Sequence, residues 1–424
     1  MIILILGGGG REHALAWKIS QSKLCQKLFI APGNPGTASL GQNIQLDVND
    51  FDAIKKLCLE QKINMVVVGP EDPLVNGIYD YFANDETLNS IQLIGPSQQG
   101  AMLEGSKAFA KEFMLKYKIP TASYKEFQAY NFNEGIEYLN SHTLPIVLKA
   151  DGLAAGKGVV IAQTHNEAIN AFHEMLQDNK FGKAGSKVVI EEFLDGIECS
   201  VFALSDGINY LLLPTAKDYK RIGEGDQGLN TGGMGAISPV PFVDDTFINK
   251  VKELIIEPTI HGLKSENIIY KGFIFFGLIK VNNEPFVIEY NCRMGDPETE
   301  VVLPRLENDI VEMFQKMNET KLNEIECIHS NKAATTIMLV SQGYPEDYKK
   351  GFEITQLDKL DESLVFHAGT KIIDNKLVTN GGRVLAITSL GNSIKEALEI
   401  SNSNANKVAF EGKYFRKDIG WEFL

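Results

Sequence analysis

The strongest constraint on the fold is a rhythm in the opening quarter of the chain, where short apolar runs alternate with amphipathic stretches of helical period. The runs are Ile2 to Leu6, Lys27 to Ala31, Met65 to Gly69 and Gln92 to Gly95, with helices opening near Arg11 and over Asp50 to Gln61. Strands that are apolar throughout and separated by helices form a parallel sheet covered on both faces. Such sheets bind ligands beyond the C-terminal ends of their strands, where Gly7 to Gly10, Pro32 to Gly36 and Gly69 to Pro73 all fall. A first domain is expected over 1–104.

The pattern then changes. A helix is expected from Ser106, because Phe109, Phe113 and Tyr117 repeat every four residues, and it must end before Pro120. Strand-like segments follow at Pro145 to Ala150, Val159 to Ala162, Lys187 to Phe193 and Cys199 to Leu204. Beyond a helix around Phe247 to His261 come Gly272 to Val281 and Glu284 to Tyr290, read as paired strands. This is α+β with a large antiparallel component, expected over 105–325. Short strands at Ala334 to Val340, Val365 to Ala368 and Arg383 to Ser389, with a last helix from Ser393, indicate a small third domain over 326–424. The fold class expected is thus α/β and α+β, multidomain.

Composition excludes several functions. A formal charge of −14 opposes non-specific binding of nucleic acid, so any anionic ligand must be held locally by backbone amides and a few Lys or Arg. No apolar stretch approaches the roughly 20 residues that span a bilayer, and Met1 to Leu6 lacks the basic leader of an export signal. The five cysteines form no close pair, which argues against a disulfide framework or thiolate zinc site and suits a reducing cytoplasm. No His-x-x-x-His spacing and no Gly-x-Ser-x-Gly elbow occurs, which argues against zinc and serine hydrolases.

Gly7 to Gly10 invites a dinucleotide reading, but the third glycine position of that fingerprint is Glu12 or His13, and the expected acid about 20 residues on is missing. What remains is a strand, a glycine loop and a helix N-terminus, which favours a single phosphate with Arg11 beside it. A tight turn packing helix on strand is the plainer alternative. Asp151-Gly-Leu-Ala-Ala-Gly-Lys-Gly158 is not a P-loop, since Gly152 and Gly156 enclose too few residues and Gly158 stands where a hydroxyl should bind magnesium. Its flanking strands make it a hairpin tip, with Lys157 and backbone amides able to close over a triphosphate, and with Lys149 pointing at the same phosphates.

Glu191-Glu192-Phe193-Leu194 and Glu198 place backbone groups that could bond an adenine edge and a carboxylate that could accept ribose hydroxyls; a solvated acidic turn is the alternative. Most informative is Val287 to Glu300. Strand alternation puts Glu289 and Asn291 on one face, oxygen ligands suited to Mg2+ that also touches phosphates, with Arg293 able to fork a carboxylate or phosphate. Four acids at one strand end are a liability unless a metal or cations sit there. Lys217 to Arg221 precede a stretch, Gly223 to Gly235, holding six glycines, which serves turns or close approach of backbone to a ligand.

Taken in order, GGGGREHALAW, APGNPGT, VVVGPEDPL, LIGP, SKAFAKEFM, LKADGLAAGKGV, IEEFLDGIECSV, KDYKRIGEGDQGLNTGGMGAISP, IEYNCRMGDPETE, GYPEDY and HAGT resemble the signature series of the phosphoribosylamine–glycine ligases, members of the ATP-grasp superfamily. The resemblance covers nearly the whole chain. It implies a Rossmann-like N-terminal domain, an ATP-grasp central domain whose lid lobe spans about 120–190, and a small mixed C-terminal domain. Lys107, Lys149, Gly156, Lys157, Glu191, Phe193, Leu194 and Glu198 would then bind ATP, and Glu289 and Asn291 would hold Mg2+ or Mn2+. Gly9, Arg11, Glu71, Asp72 and Arg293 would bind 5-phosphoribosylamine, while Asp218, Lys220, Arg293 and Asp296 would act near glycine and an acyl phosphate.

The implied reaction joins glycine to the sugar amine through glycyl phosphate, giving glycinamide ribonucleotide for purine biosynthesis, with ADP and phosphate released. The implied setting is cytoplasmic, as a monomer or weak dimer, without nucleic-acid or membrane partners. Gly272 to Lys280 carries no acid, so a second metal's ligands stay open. Two other readings remain at this point: another ATP-grasp carboxylate–amine ligase, and a nucleotide-sensing protein without turnover.

Overall fold

The structure, a computed structural model, describes residues 1–153, 158–178 and 185–424. The opening rhythm folds as its periods require: β1 (Ile2–Gly7), α1 (Gly10–Ser20), β2 (Lys27–Pro32), β3 (Gln42–Asn43), α2 (Phe51–Gln61), β4 (Met65–Val68), α3 (Glu71–Val75), α4 (Ile78–Ala83), β5 (Gln92–Pro96) and α5 (Gln98–Gly105). These strands pair in parallel in the order β3-β2-β1-β4-β5. The order reverses at β1, so the loops after β1 and β4 open on the crevice where doubly wound sheets bind ligands. Ile3, Leu4, Ile5 and Leu6 are fully buried, as strands covered by helices on both faces must be.

Next come α6 (Lys107–Lys116) and a lobe of β6 (Tyr124–Gln128), α7 (Phe132–Ser141), β7 (Ile146–Ala150), β8 (Val159–Ala162), α8 (His165–Leu176) and β9 (Lys187–Glu192). Its antiparallel sheet runs β6-β9-β7-β8. Phe127, Leu148, Phe172, Val188 and Ile190 form a core belonging to this lobe alone. A lobe with its own core can move as one body against the rest, which is what a closing lid requires.

The chain continues through β10 (Ile197–Ser205), β11 (Tyr210–Leu212), β12 (Lys217–Asp218), β13 (Arg221–Gly223), β14 (Gln227–Asn230) and β15 (Gly235–Ser238). The expected helix around Phe247 to His261 is observed as α9 (Asp245–Val251), a π turn over Lys252–Ile256, and α10 (Glu257–Ser265). Pro258, which lacks an N–H, accounts for the irregular turn beside it. Then follow β16 (Tyr270–Val281), β17 (Glu284–Asn291), α11 (Thr299–Arg305), α12 (Ile310–Asn318), β18 (Ala333–Val340), β19 (Ser363–His367), β20 (Thr370–Ile373), β21 (Lys376–Thr379), β22 (Arg383–Gly391) and α13 (Ile394–Lys407).

Sheet membership crosses the boundaries that the sequence suggests. The long strand β16 pairs with β10 and β17, and its first residues, Tyr270 and Lys271, pair with Pro96 and Gly95 of β5. The N-terminal and central sheets are therefore one nine-stranded sheet. The approach is close: a Cβ on Gly272 would lie 3.0 Å from the Gly95 backbone, so a larger residue would push the two strands apart. Likewise β12 and β15 join β18, β22 and β19 in a five-stranded sheet, so the last domain completes its sheet with central strands. Among the described residues, no helix is long and apolar enough to cross a membrane.

Candidate active site

In the lobe, β7 and β9 pair Lys149 with Val189 and Val147 with Glu191, so Lys149 and Glu191 share the sheet face opposite the Leu148 and Ile190 core. Lys149 Nζ lies 2.9 Å from Glu191 Oε2 and donates to Ile288 O at 3.2 Å. Lys111 Nζ reaches the same Glu191 oxygen at 3.3 Å. All three side chains are buried, and burial lowers the Lys111 ammonium to about 8. The other oxygen, Glu191 Oε1, is buried with no hydrogen-bond partner among the described residues, and is free to accept from a ligand donor.

The base of the expected lid hairpin is tied to α6. Ser106 caps that helix, accepting from Phe109 N at 3.1 Å, and its hydroxyl donates to Asp151 at 3.0 Å. Lys107 Nζ donates to Gly152 O at 2.9 Å. Gly156 and Lys157 lie outside the described residues. Phe193 and Leu194 sit on the loop between β9 and β10, with Phe193 exposed and Leu194 half-buried. Glu198 is half-exposed and pairs with Lys220 at 3.0 Å. Against the lowering effect of burial, Glu198, Asp218 and Glu289 push the Lys220 ammonium well above its ordinary range. This lysine stays charged among three carboxylates.

At the end of β17, Glu289 and Asn291 are half-buried while Tyr290 between them enters the core, as period two demands. Turned so that its nitrogen faces acceptors, the Asn291 carboxamide donates to Tyr290 O at 3.2 Å and Glu104 Oε1 at 2.9 Å. That leaves its oxygen and the Glu289 carboxylate as hard donors. No group of three or more His, Cys, Asp or Glu among the described residues could hold a metal. Two protein oxygens fit an ion of the Mg2+ kind, which completes its shell with water and phosphates.

Beyond Asn291, Glu104 accepts from Cys292 N at 2.8 Å and pairs with Arg293 Nη2 at 2.6 Å. Arg293 Nε is 3.2 Å from Glu71 Oε2, and Arg11 Nη1 is 3.9 Å from the same oxygen. Against burial, these two guanidinium groups hold the Glu71 carboxyl at about 2. Arg11 Nε also pairs with Glu12 at 2.6 Å, and Glu12 accepts the Gly9 N–H at 2.7 Å. The first glycine loop therefore already spends one amide and much of Arg11 on protein partners. Asp72 is exposed in the first turn of α3 and joins no hydrogen bond of this network among the described residues.

His13 is a buried, hydrogen-bonded core group. Its Nδ1 accepts the His367 N–H at 2.8 Å, and its ring meets Phe366 edge-on at 5.5 Å. Burial lowers it to about 3, so it remains a neutral acceptor joining the first and last domains. Asn34 makes a parallel link, donating to His367 O at 2.8 Å and Gly8 O at 3.0 Å.

The acids expected to repel one another at the end of β17 still face one another, and each has its own relief. Asp296 pairs with Arg383 at 2.9 Å. Glu298 is buried and accepts from Ser200 Oγ at 3.3 Å; burial, then Asp218, pushes its carboxyl up to about 8. Glu300 is pushed well up by burial and Asp296, and both its oxygens are buried without hydrogen-bond partners among the described residues. Protonation, as well as cations, relieves this cluster.

Because the folded carboxyl of Glu298 titrates above the ordinary 4.5, its stabilising protonated form is complete below that value and is lost as pH rises toward about 8. Glu298→Gln keeps a neutral hydrogen-bonding shape, so its unfolding free energy will vary less across that window. Denaturant unfolding at both ends of the window checks this; an unchanged pH slope would mean that another group carries it.

Comparisons with known proteins align with this geometry. Family models for phosphoribosylglycinamide synthetase match in collinear order: the N domain at residues 1–104, the ATP-grasp (A) domain at 105–299 and the C domain at 334–422. The phosphoribosylamine–glycine ligase of Caldanaerobacter subterraneus subsp. tengcongensis is 45% identical over 419 residues, covering 99% of each chain. The crystal structure of the phosphoribosylamine–glycine ligase from Thermotoga maritima is 35% identical with a TM-score of 0.85, over 99% of this chain and 100% of that one. At 16% identity, the biotin carboxylase domain of the Hydrogenobacter thermophilus 2-oxoglutarate carboxylase, solved with MgADP and bicarbonate, shares the fold with a TM-score of 0.73 over 97% and 91% of the two chains. With three domains matched in order and identity sustained over nearly the full length, the chain belongs to the phosphoribosylglycinamide synthetase family of ATP-grasp ligases.

Proposed function

We propose that this chain ligates glycine to 5-phosphoribosylamine, consuming ATP and releasing ADP and phosphate, to give glycinamide ribonucleotide for purine biosynthesis. One observation carries the reading. Arg293, two residues beyond the Glu289 and Asn291 strand end, pairs with Glu71 of the N-terminal crevice at 3.2 Å and with Glu104 at 2.6 Å. The pairing gives a metal–nucleotide site and an N-terminal substrate site a common wall, as transfer between two bound reactants requires.

In this reading ATP lies between the lid lobe and the β16–β17 hairpin. Lys107 and Lys149 serve the phosphates, with Gly156 and Lys157 further residues for the same nucleotide, while Glu191, Phe193, Leu194 and Glu198 serve the nucleoside. Glu289 and Asn291 hold Mg2+ or Mn2+, which supplies charge neutralisation at the phosphates. Gly9, Arg11, Glu71 and Asp72 serve the sugar amine. Asp218, Lys220, Arg293 and Asp296 serve glycine.

The glycine carboxylate displaces ADP from the γ-phosphorus, forming glycyl phosphate. The sugar amine then attacks the acyl carbon, expelling phosphate and losing a proton. Neither step needs a nucleophilic side chain, which accords with the charge-rich, triad-free site. Holding the reactants together supplies roughly 7 to 11 kcal/mol of the barrier.

The three domains divide near residues 104 and 325. The five unpaired cysteines, with Cys58 and Cys199 pushed up to about 12 by burial, suit a reducing cytoplasm. The enzyme acts as a monomer or weak dimer on small molecules.

Phosphate release from ATP will require glycine and 5-phosphoribosylamine together. Equal release without glycine would overturn the reading, and faster turnover with another amino acid would assign the chain to a different carboxylate–amine ligation.

A further inference from the structure

The last domain places one guanidinium against the site. Arg383, the first residue of β22, donates from Nη1 to Asp296 O at 2.7 Å and to Gly232 O, and its Nη2 lies 2.9 Å from Asp296 Oδ1. One planar fork thus binds two loops, 231–234 and 294–298, that are far apart in sequence. The loops touch: Gly233 has φ +114, and a Cβ there would fall 2.4 Å from Pro297 Cδ. On the other side, Gly232 N donates to Tyr344 OH at 2.8 Å, a second hold on the same loop from the last domain.

Each pinned loop carries a chemical group. Thr231 binds Lys220 O through its N–H at 2.7 Å and its hydroxyl at 2.8 Å, fixing the segment between β12 and β13 that presents Lys220 to Glu198. Met294 O accepts from both Arg11 and Arg293, each at 3.3 Å. Arg383 therefore bridges the Lys220 side of the site and the Arg293 side.

We propose that Arg383 is a positioning residue, setting the spacing of these two charged groups from the last domain without itself binding nucleotide. The proposal rests on the ligase reading, in which both groups face the glycine end of the reaction. Lysine is a poor substitute at this position, because one ammonium cannot hold the two carbonyl oxygens from Nη1 and also set a second charged nitrogen beside the Asp296 carboxylate.

The test uses the full-length chain with Arg383→Lys, Arg383→Ala and Tyr344→Phe. Arg383→Lys will lower kcat on the order of tenfold to a hundredfold, as misplacement of about 1 Å does, and raise KM for glycine while leaving KM for ATP within about twofold. Tyr344→Phe, which removes one hydrogen bond at the far side of Gly232, will lower kcat in the same direction by about threefold to tenfold. Free guanidinium added to Arg383→Ala will restore part of kcat.

Three outcomes would overturn the proposal: wild-type kcat in Arg383→Lys, a loss that only follows the folded fraction by thermal unfolding, or an equal rise in KM for ATP. If Arg383→Ala fails to fold, Tyr344→Phe still decides, since unchanged kinetics there contradict a loop held from the last domain. A wild-type chain without glycine-dependent phosphate release would sink the ligase reading instead, which separates the two failures.

Discussion

Replacing Glu191 by methionine will destabilise the protein by about 3 to 5 kcal/mol, the cost of stranding buried charges by removing their partner. Two ammonium groups, Lys149 at 2.9 Å and Lys111 at 3.3 Å, depend on one Glu191 oxygen, and all three side chains are buried. Methionine fills the volume but offers neither lysine a counter-charge. The loss has a definite pH dependence. Lys111 is already lowered from 10.5 to about 8 by burial, so its charged form costs stability below 8, and that cost fades as pH rises toward 10.5. Without Glu191 the Lys111 ammonium is disfavoured further and loses its proton at lower pH, so this part of the variant's deficit relative to wild type shrinks as pH rises toward about 8. Thermal unfolding of both proteins across this range measures it. A Glu191→Met variant as stable as wild type near neutrality would show that the lysines find other partners, such as Thr121 Oγ1, 2.8 Å from Lys111 Nζ.

The second large effect is on turnover. Glu289→Gln will lower kcat by on the order of a hundredfold, equivalent to about 3 kcal/mol of the barrier, because in the proposed reading one of two protein oxygens for the cation loses its charge. Folding should be little affected. Glu289 is half-buried at a strand end, and its carboxylate lies among Lys107, Lys220 and Asp218 with no core role. The discriminating readout is nucleotide binding: the gain in ADP affinity on adding Mg2+ will shrink in the variant, while affinity without Mg2+ changes little. A variant within about threefold of wild-type kcat, with an undiminished Mg2+ effect, would remove Glu289 from the cation site.

These two residues also mark how far the sequence could be read. Glu289 and Asn291 were legible because strand alternation is a local rule: two residues apart means one face, whatever the strand packs against. The parallel opening sheet and the helix from Ser106 were legible for the same reason, as periods and caps depend on neighbours in the chain. Glu191 was legible as a carboxylate at a strand end, but its two lysines were not both visible. Lys111 reads as one more cation on an amphipathic helix until β9 is laid beside it.

Glu104 and Arg383 carried no signal of their own. Their partners lie 189 and 87 residues away, and nothing local in the sequence encodes those contacts. His13 likewise has its partner far off in the chain: its ring accepts from the backbone of His367, 354 residues away.

The chain by itself determined which segments became strands or helices and which residue kinds would suit phosphate and metal, since hydrophobic period, glycine placement and side-chain chemistry are properties of short stretches. Only the tertiary structure decided that β5 and β16 share a sheet, that β12 and β15 complete the last domain's sheet, and that Arg383 closes on Asp296. Those choices depend on burying apolar faces from distant segments against one another, and burial is non-directional, so no local pattern specifies the partner.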